Sequence, residues 1–200
     1  MVERLIALDE RLFMAVNGWG SPGLDACLGA ATWLGNGVVL AALVLGGMAI
    51  LDRRRLRAHA AAMVLSVAVG ALPVEAVKSA VDRDRPARHF AARIEAGEVE
   101  VRMPSGPLYD RSFPSGHTQA AFGTAAYLSL VYPVLSPLLL GLAASVGLSR
   151  IYLGVHFPLD VAAGAAIGIV FSALGFAIRR VVSSSTVPDR DCRSGTMKRS

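Results

Sequence analysis

Between Ala26 and Leu51 the sequence holds no charged residue, and between Ser112 and Ser149 it holds no aspartate, glutamate, lysine or arginine. Each run exceeds the roughly 20 apolar residues that one α-helix needs to cross the hydrocarbon layer of a bilayer. Composition agrees: 54% of the chain is hydrophobic and only 18% is charged, against about 25% charged in ordinary soluble domains. The expected fold class is therefore an all-α integral membrane bundle. The length of 200 residues allows one domain, expected over residues 1–180.

The helices can be read in order. Leu5, Leu8, Leu12 and Val16 share one face of residues 2–17, which predicts an N-terminal interfacial helix, lying in the headgroup region or packing on the bundle. The stretch "GWGSP" ends it, with Trp19 at headgroup level. "LGNG" (residues 34–37) interrupts the first apolar run and predicts a short helix followed by a span over about 37–51. "DRRRLR" (52–57) reads as a loop, and residues 58–80 as the next helix, apolar until Glu75 and Lys78. "YPVLSP" (132–137) divides the second long run into two helices. The last helix spans about 157–178, with Gly164 and Gly168 spaced for close packing, either within the bundle or between copies. The total is about six helices. Residues 81–111 are charged and rich in Pro and Gly, with no apolar face of span length. A loop of this length is often functional. Residues 181–200 read as a polar, disordered cytoplasmic tail.

The net charge of +5 is modest. The basic residues of the tail, from Arg179 to Arg199, have no aromatic interleaving, so anionic lipid headgroups suit them better than nucleic acid. Cys27 and Cys192 form neither a disulfide framework nor a zinc spacing. Glu3, Asp9 and Glu10 break up any apolar core that a removable signal peptide would need. The arginines of "DRRRLR" and the basic tail mark the cytoplasmic side. The 81–111 loop, the helix start at Ser115 and the stretch "SRIYLGVH" then fall on the opposite side.

Three polar clusters lie on that opposite side. The first is Lys78 followed by Arg85 and Pro86; alone it could be basic side chains snorkelling at a membrane edge. The second is "PSGH", Pro114 to His117, opening an uncharged helix. A helix start leaves backbone N–H groups unpaired, and Ser115 and Gly116 let an anion approach them. A plain serine cap explains Ser115 but not His117. The third is "SRIYLGVHFPLD", residues 149–160. Gly154 permits a corner there and Pro158 suits the first turn of the next helix. His156 and Asp160 are four apart, close enough for the carboxylate to take the proton of one ring nitrogen and leave the other nucleophilic. A structural His–Asp cap is the plainer alternative for that pair. Together the clusters assemble three cations, an N–H cradle and two histidines. That combination suits a multiply charged oxyanion, phosphate better than carboxylate, with one histidine to attack and the other to protonate the leaving oxygen.

In this order, K-x6-RP, PSGH and SR-x-Y-x-G-x-H-x3-D resemble the three signature motifs of the type 2 phosphatidic acid phosphatase family, which shares its site with vanadium haloperoxidases. Every motif position is filled: Lys78, Arg85, Pro86, Pro114 to His117, Ser149, Arg150, Tyr152, Gly154, His156 and Asp160. The resemblance implies a six-helix membrane phosphatase that needs no metal or other cofactor. His156 would form a phosphohistidine, Asp160 would orient it and His117 would be the general acid. Lys78, Arg85, Arg150 and the backbone of Ser115 and Gly116 would bind phosphate. The implied substrate is a lipid phosphate or diphosphate, met at the outer face of the cell membrane: phosphatidic acid, phosphatidylglycerol phosphate or a polyprenyl diphosphate such as undecaprenyl diphosphate. A vanadate-dependent haloperoxidase and a non-catalytic lipid-binding or lipid-moving relative are the other readings. The first suits larger soluble proteins, and the second expects a replaced motif position.

Other polar residues are expected to be structural. His59 reads as a headgroup-level residue, His89 as a solvated loop residue, Glu75 as a partner of Lys78 and Cys27 as packing. The basic neighbours of Asp82 and Asp84 argue against a metal there.

Overall fold

A computed structural model describes residues 1–185. Helix α1 covers Val2–Asn17, α2 Pro22–Ala31, α3 Gly37–Leu51 and α4 Arg53–Val81. Two short helices follow, α5 (Pro86–His89) and α6 (Ala91–Glu95). Helices α7 (Gly116–Val131), α8 (Ser136–Tyr152) and α9 (Pro158–Ser185) complete the order. Single 3₁₀ turns occupy Thr32–Gly35 and Pro133–Leu135. No strand occurs among the described residues.

The bundle is built around α7. Most of its residues are buried, from Thr118 and Gln119 to Leu128 and Val131, with Leu130 exposed near its end, as expected of a central helix with no polar face. Helices α4, α8 and α9 surround it. These three, α8 with its preceding turn, are long and apolar enough to cross a membrane. The α2–α3 pair passes the same test as one unit, bent by 78°. The bend has a local cause: Asn36 Oδ1 accepts from the N–H groups of Val38 and Val39 at 3.1 and 3.2 Å and starts a new helix. The chain is thus a membrane protein with, among the described residues, three candidate spans, or four if the bent pair is one. At about 1.5 Å per residue, α4 is longer than the roughly 30 Å hydrocarbon layer, so its last turn can present Lys78 beyond it.

Close approach of α9 to α7 depends on missing side chains. A Cβ at Gly164 would overlap the Ser115 carbonyl, and one at Gly168 the Gln119 carbonyl. Both glycines therefore serve packing within the bundle. The same contact brings the Asp160 carbonyl to the Ser115 N–H at 2.9 Å, which joins the starts of α7 and α9.

Leu5, Leu8 and Leu12 of α1 point outward, as an interfacial helix requires, while Asp9, Phe13 and Asn17 are buried. In a membrane bundle lipid accepts the apolar face, and the polar face turns inward to find partners. "DRRRLR" is a loop only at Asp52, whose carboxylate caps α4 by accepting from the Arg55 N–H at 3.1 Å. Helix α9 continues to Ser185, so residues 181–185 of the expected tail are helical; residues 186–200, Cys192 among them, lie outside the described residues. The 81–111 segment joins a core shared with α1 and α8: Phe90 is buried with Phe13, Ile151 and Phe157, and Ile94, Val99 and Val101 pack against them. Cys27 is exposed rather than packed. His59 is half-buried, with Nδ1 3.3 Å from the Tyr127 hydroxyl and its ring stacked on Phe176.

Candidate active site

The corner after α8 is set by its backbone. The N–H groups of Val155 and His156 both donate to the Arg150 carbonyl at 3.1 Å. Gly154 takes φ +72°, and a Cβ there would strike the Arg102 carbonyl, so a side chain is excluded by conformation and by space. Arg150 and His156 are therefore held side by side, both buried, at one end of the bundle.

Asp160 sits in the first turn of α9 and is fully buried. Its Oδ2 accepts from the Phe157 N–H at 2.9 Å and lies 3.4 Å from His156 Nδ1. On the other side of the ring, Arg85 Nη1 is 3.3 Å from His156 Nε2 and donates to the Val155 carbonyl at 3.0 Å. Arginine has only donors, so Nε2 must be the acceptor and Nδ1 carries the proton toward Asp160. Burial above all holds this imidazole neutral, with its pKa pulled down from 6.5 to about 4. Arg85 and Arg150 act in the same direction, against the hydrogen bond and charge of Asp160. A neutral ring with its lone pair on Nε2 is the nucleophilic form.

Ser115 caps α7. Its buried Oγ accepts from the Thr118 N–H at 3.4 Å and from the Thr118 hydroxyl at 3.0 Å. The amides of Gly116 and His117 have no carbonyl of their own helix to pair with. Arg150, Arg85 and Lys78 all lie close enough to His117 to act on it electrostatically. Lys78 pairs with Glu75 at 3.2 Å, as its spacing suggested. Arg150 Nη1 donates to the Thr32 hydroxyl at 2.6 Å. The Nε atoms of Arg85 and Arg150 are buried and have no hydrogen-bond partner. A buried guanidinium with an unmet donor is costly, and an oxyanion between the two would meet that need.

All eight residues singled out from the sequence, Lys78, Arg85, Ser115, Gly116, His117, Arg150, His156 and Asp160, thus converge on one end of the bundle. Around them lie residues the sequence reading did not single out. Arg83 Nη1 donates to Asp160 Oδ1 at 2.7 Å and Nη2 to Asp9 Oδ2 at 2.5 Å. Arg102 pairs with Asp25 at 3.0 Å and donates to the Tyr152 hydroxyl at 3.2 Å, while that hydroxyl donates to Asp25 at 2.6 Å. Asn17 Nδ2 donates to the carbonyls of Arg102 and Tyr152, both at 2.8 Å. The 81–111 segment is thereby fastened to α1, α2 and α8. A buried acid on α1 is the only trace of this in the sequence, and nothing local announces its partner. His89 is not solvated alone: it pairs with Glu10 at 2.9 Å. Asp82 pairs with Arg111 and Asp84 with Arg88. Among the described residues no cluster of His, Cys, Asp and Glu could hold a metal ion.

Two cavities beside the site share Glu75 in their linings. One, of about 410 Å³, is a mainly apolar groove between α3, α4 and α7, with His117, Gly116 and Glu75 at its polar end and Leu40, Val44, Met63 and Val67 along it. The other, of about 560 Å³, is polar and lined by Lys78, Arg83, Arg85, Arg88 and Arg111 with four acids, Glu75 among them.

The profile of the PAP2 superfamily matches residues 55–183, and the chain belongs to this family. The crystal structure of Aquifex aeolicus LpxE is similar, with a TM-score of 0.71, 32% identity and coverage of 85% of this chain and 95% of that one. A bacitracin transport permease protein, BcrC, from Bacillus licheniformis is 46% identical over 67 residues, which are 34% of this chain and 33% of that protein. A decaprenylphosphoryl-5-phosphoribose phosphatase from Mycobacterium tuberculosis is 38% identical over 133 residues, 66% of each chain. The chain therefore spans only about a third to two thirds of these two curated relatives.

Proposed function

We propose that this protein is a membrane phosphatase that hydrolyses a lipid phosphate or diphosphate through a phosphohistidine on His156, on the extracytoplasmic face of the cell membrane. His156 Nε2 attacks phosphorus, the bond to the leaving oxygen breaks and that oxygen takes a proton from His117. Water, deprotonated by His117, then attacks the phosphohistidine and releases inorganic phosphate and neutral His156. Asp160 holds the Nδ1 proton throughout and offsets the charge of the phosphorylated ring. Lys78, Arg85, Arg150 and the Ser115–Gly116 backbone bind the equatorial oxygens. In this scheme the contact of Arg85 with Nε2 gives way to the phosphate, which frees the lone pair. A cradle of cations suits an anion and repels a metal ion.

The observation that carries the lipid assignment is Glu75, which lines both the polar cavity and the apolar groove that runs between membrane helices with His117 at its polar end. A charged head on an apolar tail fits that pair of cavities; a soluble phosphate ester uses only one of them. The likeness to a decaprenylphosphoryl-5-phosphoribose phosphatase supports the same class. The test is phosphate release by purified protein in detergent, with EDTA, from a panel of phosphatidic acid, phosphatidylglycerol phosphate and undecaprenyl diphosphate. Release from at least one is expected. No release from any, or turnover abolished by EDTA, would overturn the reading.

A further inference from the structure

Arg83 differs from the other cations of the site. Arg85 and Arg150 each keep a buried Nε without a partner, whereas both terminal nitrogens of Arg83 are engaged by buried carboxylates, Asp160 at 2.7 Å and Asp9 at 2.5 Å. Its guanidinium lies 4.2 Å over the Phe157 ring, and its carbonyl accepts from the Ser112 N–H at 2.8 Å. Arg83 is thus held as part of the framework, with little left to offer a substrate.

The consequence lies at Asp160. Rotation about the last torsion of an aspartate is broad, and an orienting carboxylate needs both oxygens held. Oδ2 serves His156 and the Phe157 N–H, and Oδ1 is held by Arg83. Asp9, in turn, takes the second arm of Arg83 and also accepts from the Leu159 N–H at 2.8 Å. Asp9 therefore ties α1 to the corner that carries His156 once directly, at Leu159, and once through Arg83.

Resting on the phosphatase reading, we propose that Arg83 is a positioning residue: it bridges Asp9 of α1 to Asp160, so that the N-terminal helix holds the carboxylate that orients His156. Outer-shell partners of this kind typically change activity by about 10–100-fold. Loss of Arg83 slows the chemical step and leaves phosphate binding to Lys78, Arg85 and Arg150 unchanged.

The test compares wild type, R83Q, R83K, D9N and R85Q in detergent, using whichever panel lipid the wild type turns over fastest, with inorganic phosphate as a competitive inhibitor. R83Q should lower kcat by about 10–100-fold, with KM and the phosphate Ki within about 3-fold. R83K, which keeps the charge but not the fork, should fall between R83Q and wild type. D9N should lower kcat less than R83Q. R85Q should instead raise the phosphate Ki. Full kcat in R83Q would overturn the proposal, and full kcat in D9N would overturn the part given to α1. A raised phosphate Ki in R83Q would make Arg83 a substrate ligand and overturn it too. If neither R83Q nor R83K yields monodisperse folded protein, Arg83 is a structural clamp and the positioning role fails. An inactive wild type would instead defeat the phosphatase reading itself.

Discussion

His156 Nδ1 lies 3.4 Å from Asp160 Oδ2, and Arg85 reaches the opposite ring nitrogen at 3.3 Å. One neighbour takes a proton and the other can only give one, so the ring has a single tautomer with its lone pair facing the cations. His156→Ala should remove lipid phosphatase activity, by about 10³-fold or more, with helix content and thermal unfolding unchanged. Asp160→Asn should lower kcat by about 10²–10⁴-fold, because an amide no longer selects that tautomer. Retention of full activity by His156→Ala in a phosphate-release assay would exclude the phosphohistidine.

His117 is the expected donor to the leaving oxygen, and acid–base groups of this kind contribute about 10²–10⁴-fold. His117→Ala should lose that much on a lipid phosphate. On p-nitrophenyl phosphate, whose leaving group departs without a proton, the loss in the first step should be markedly smaller. Because His117 also activates water in the second step, the comparison is made on the first turnover by rapid mixing, where equal losses on both substrates would point to another role.

The buried state of His156 makes a pH prediction. The unfolded residue titrates near 6.5 and the folded one near 4, mainly through burial. As pH falls below about 6.5 the unfolded chain binds the proton first, so stability declines between about pH 6.5 and 4 and is not affected by this group above that range. NMR of histidine-labelled protein in micelles, assigned with His156→Ala, should show no titration of this ring above about pH 5.5. A midpoint at 6.5 or higher would show that Asp160 outweighs burial at this ring.

The approach of α9 to α7 leaves no room beside the Ser115 carbonyl. Gly164→Ala should therefore destabilise the bundle by about 1–3 kcal/mol, read as an earlier thermal unfolding in detergent. Activity should fall as well, because the same contact sets Asp160 against the start of α7. A variant with wild-type stability would show that the helices can separate without cost.

Orientation can be read by labelling. In a background lacking Cys27 and Cys192, a cysteine at Glu98 should react with an impermeant maleimide added to intact cells, and one at Arg54 should react only after permeabilisation. The reverse pattern would place the site on the cytoplasmic side.

What was legible from residue order was what depends on near neighbours. The uncharged runs announce membrane helices by length alone, and the break at "LGNG" appears as the bend capped by Asn36. The K-x6-RP, PSGH and SR-x-Y-x-G-x-H-x3-D motifs carry their residue types on the chain, so the eight candidate site residues are legible from residue order alone. The inward face of α1 is not. Hydrophobic periodicity marks Leu5, Leu8 and Leu12 as one face but not whether it meets lipid or protein, because in a membrane both surroundings are apolar and only a polar partner decides which way a helix turns.

The sequence by itself determined the class of protein, the order of its helices and the chemistry available at three points along the chain, because composition, run length and motif spacing are local properties. The tertiary structure decided that those points meet, that Phe90 is core rather than loop, and that Arg83 joins Asp9 to Asp160 across 74 and 77 residues. Those facts depend on distant segments arriving at one place: the glycines of α9 admit α7, the Gly154 corner turns His156 inward, and Arg83 reaches both buried carboxylates.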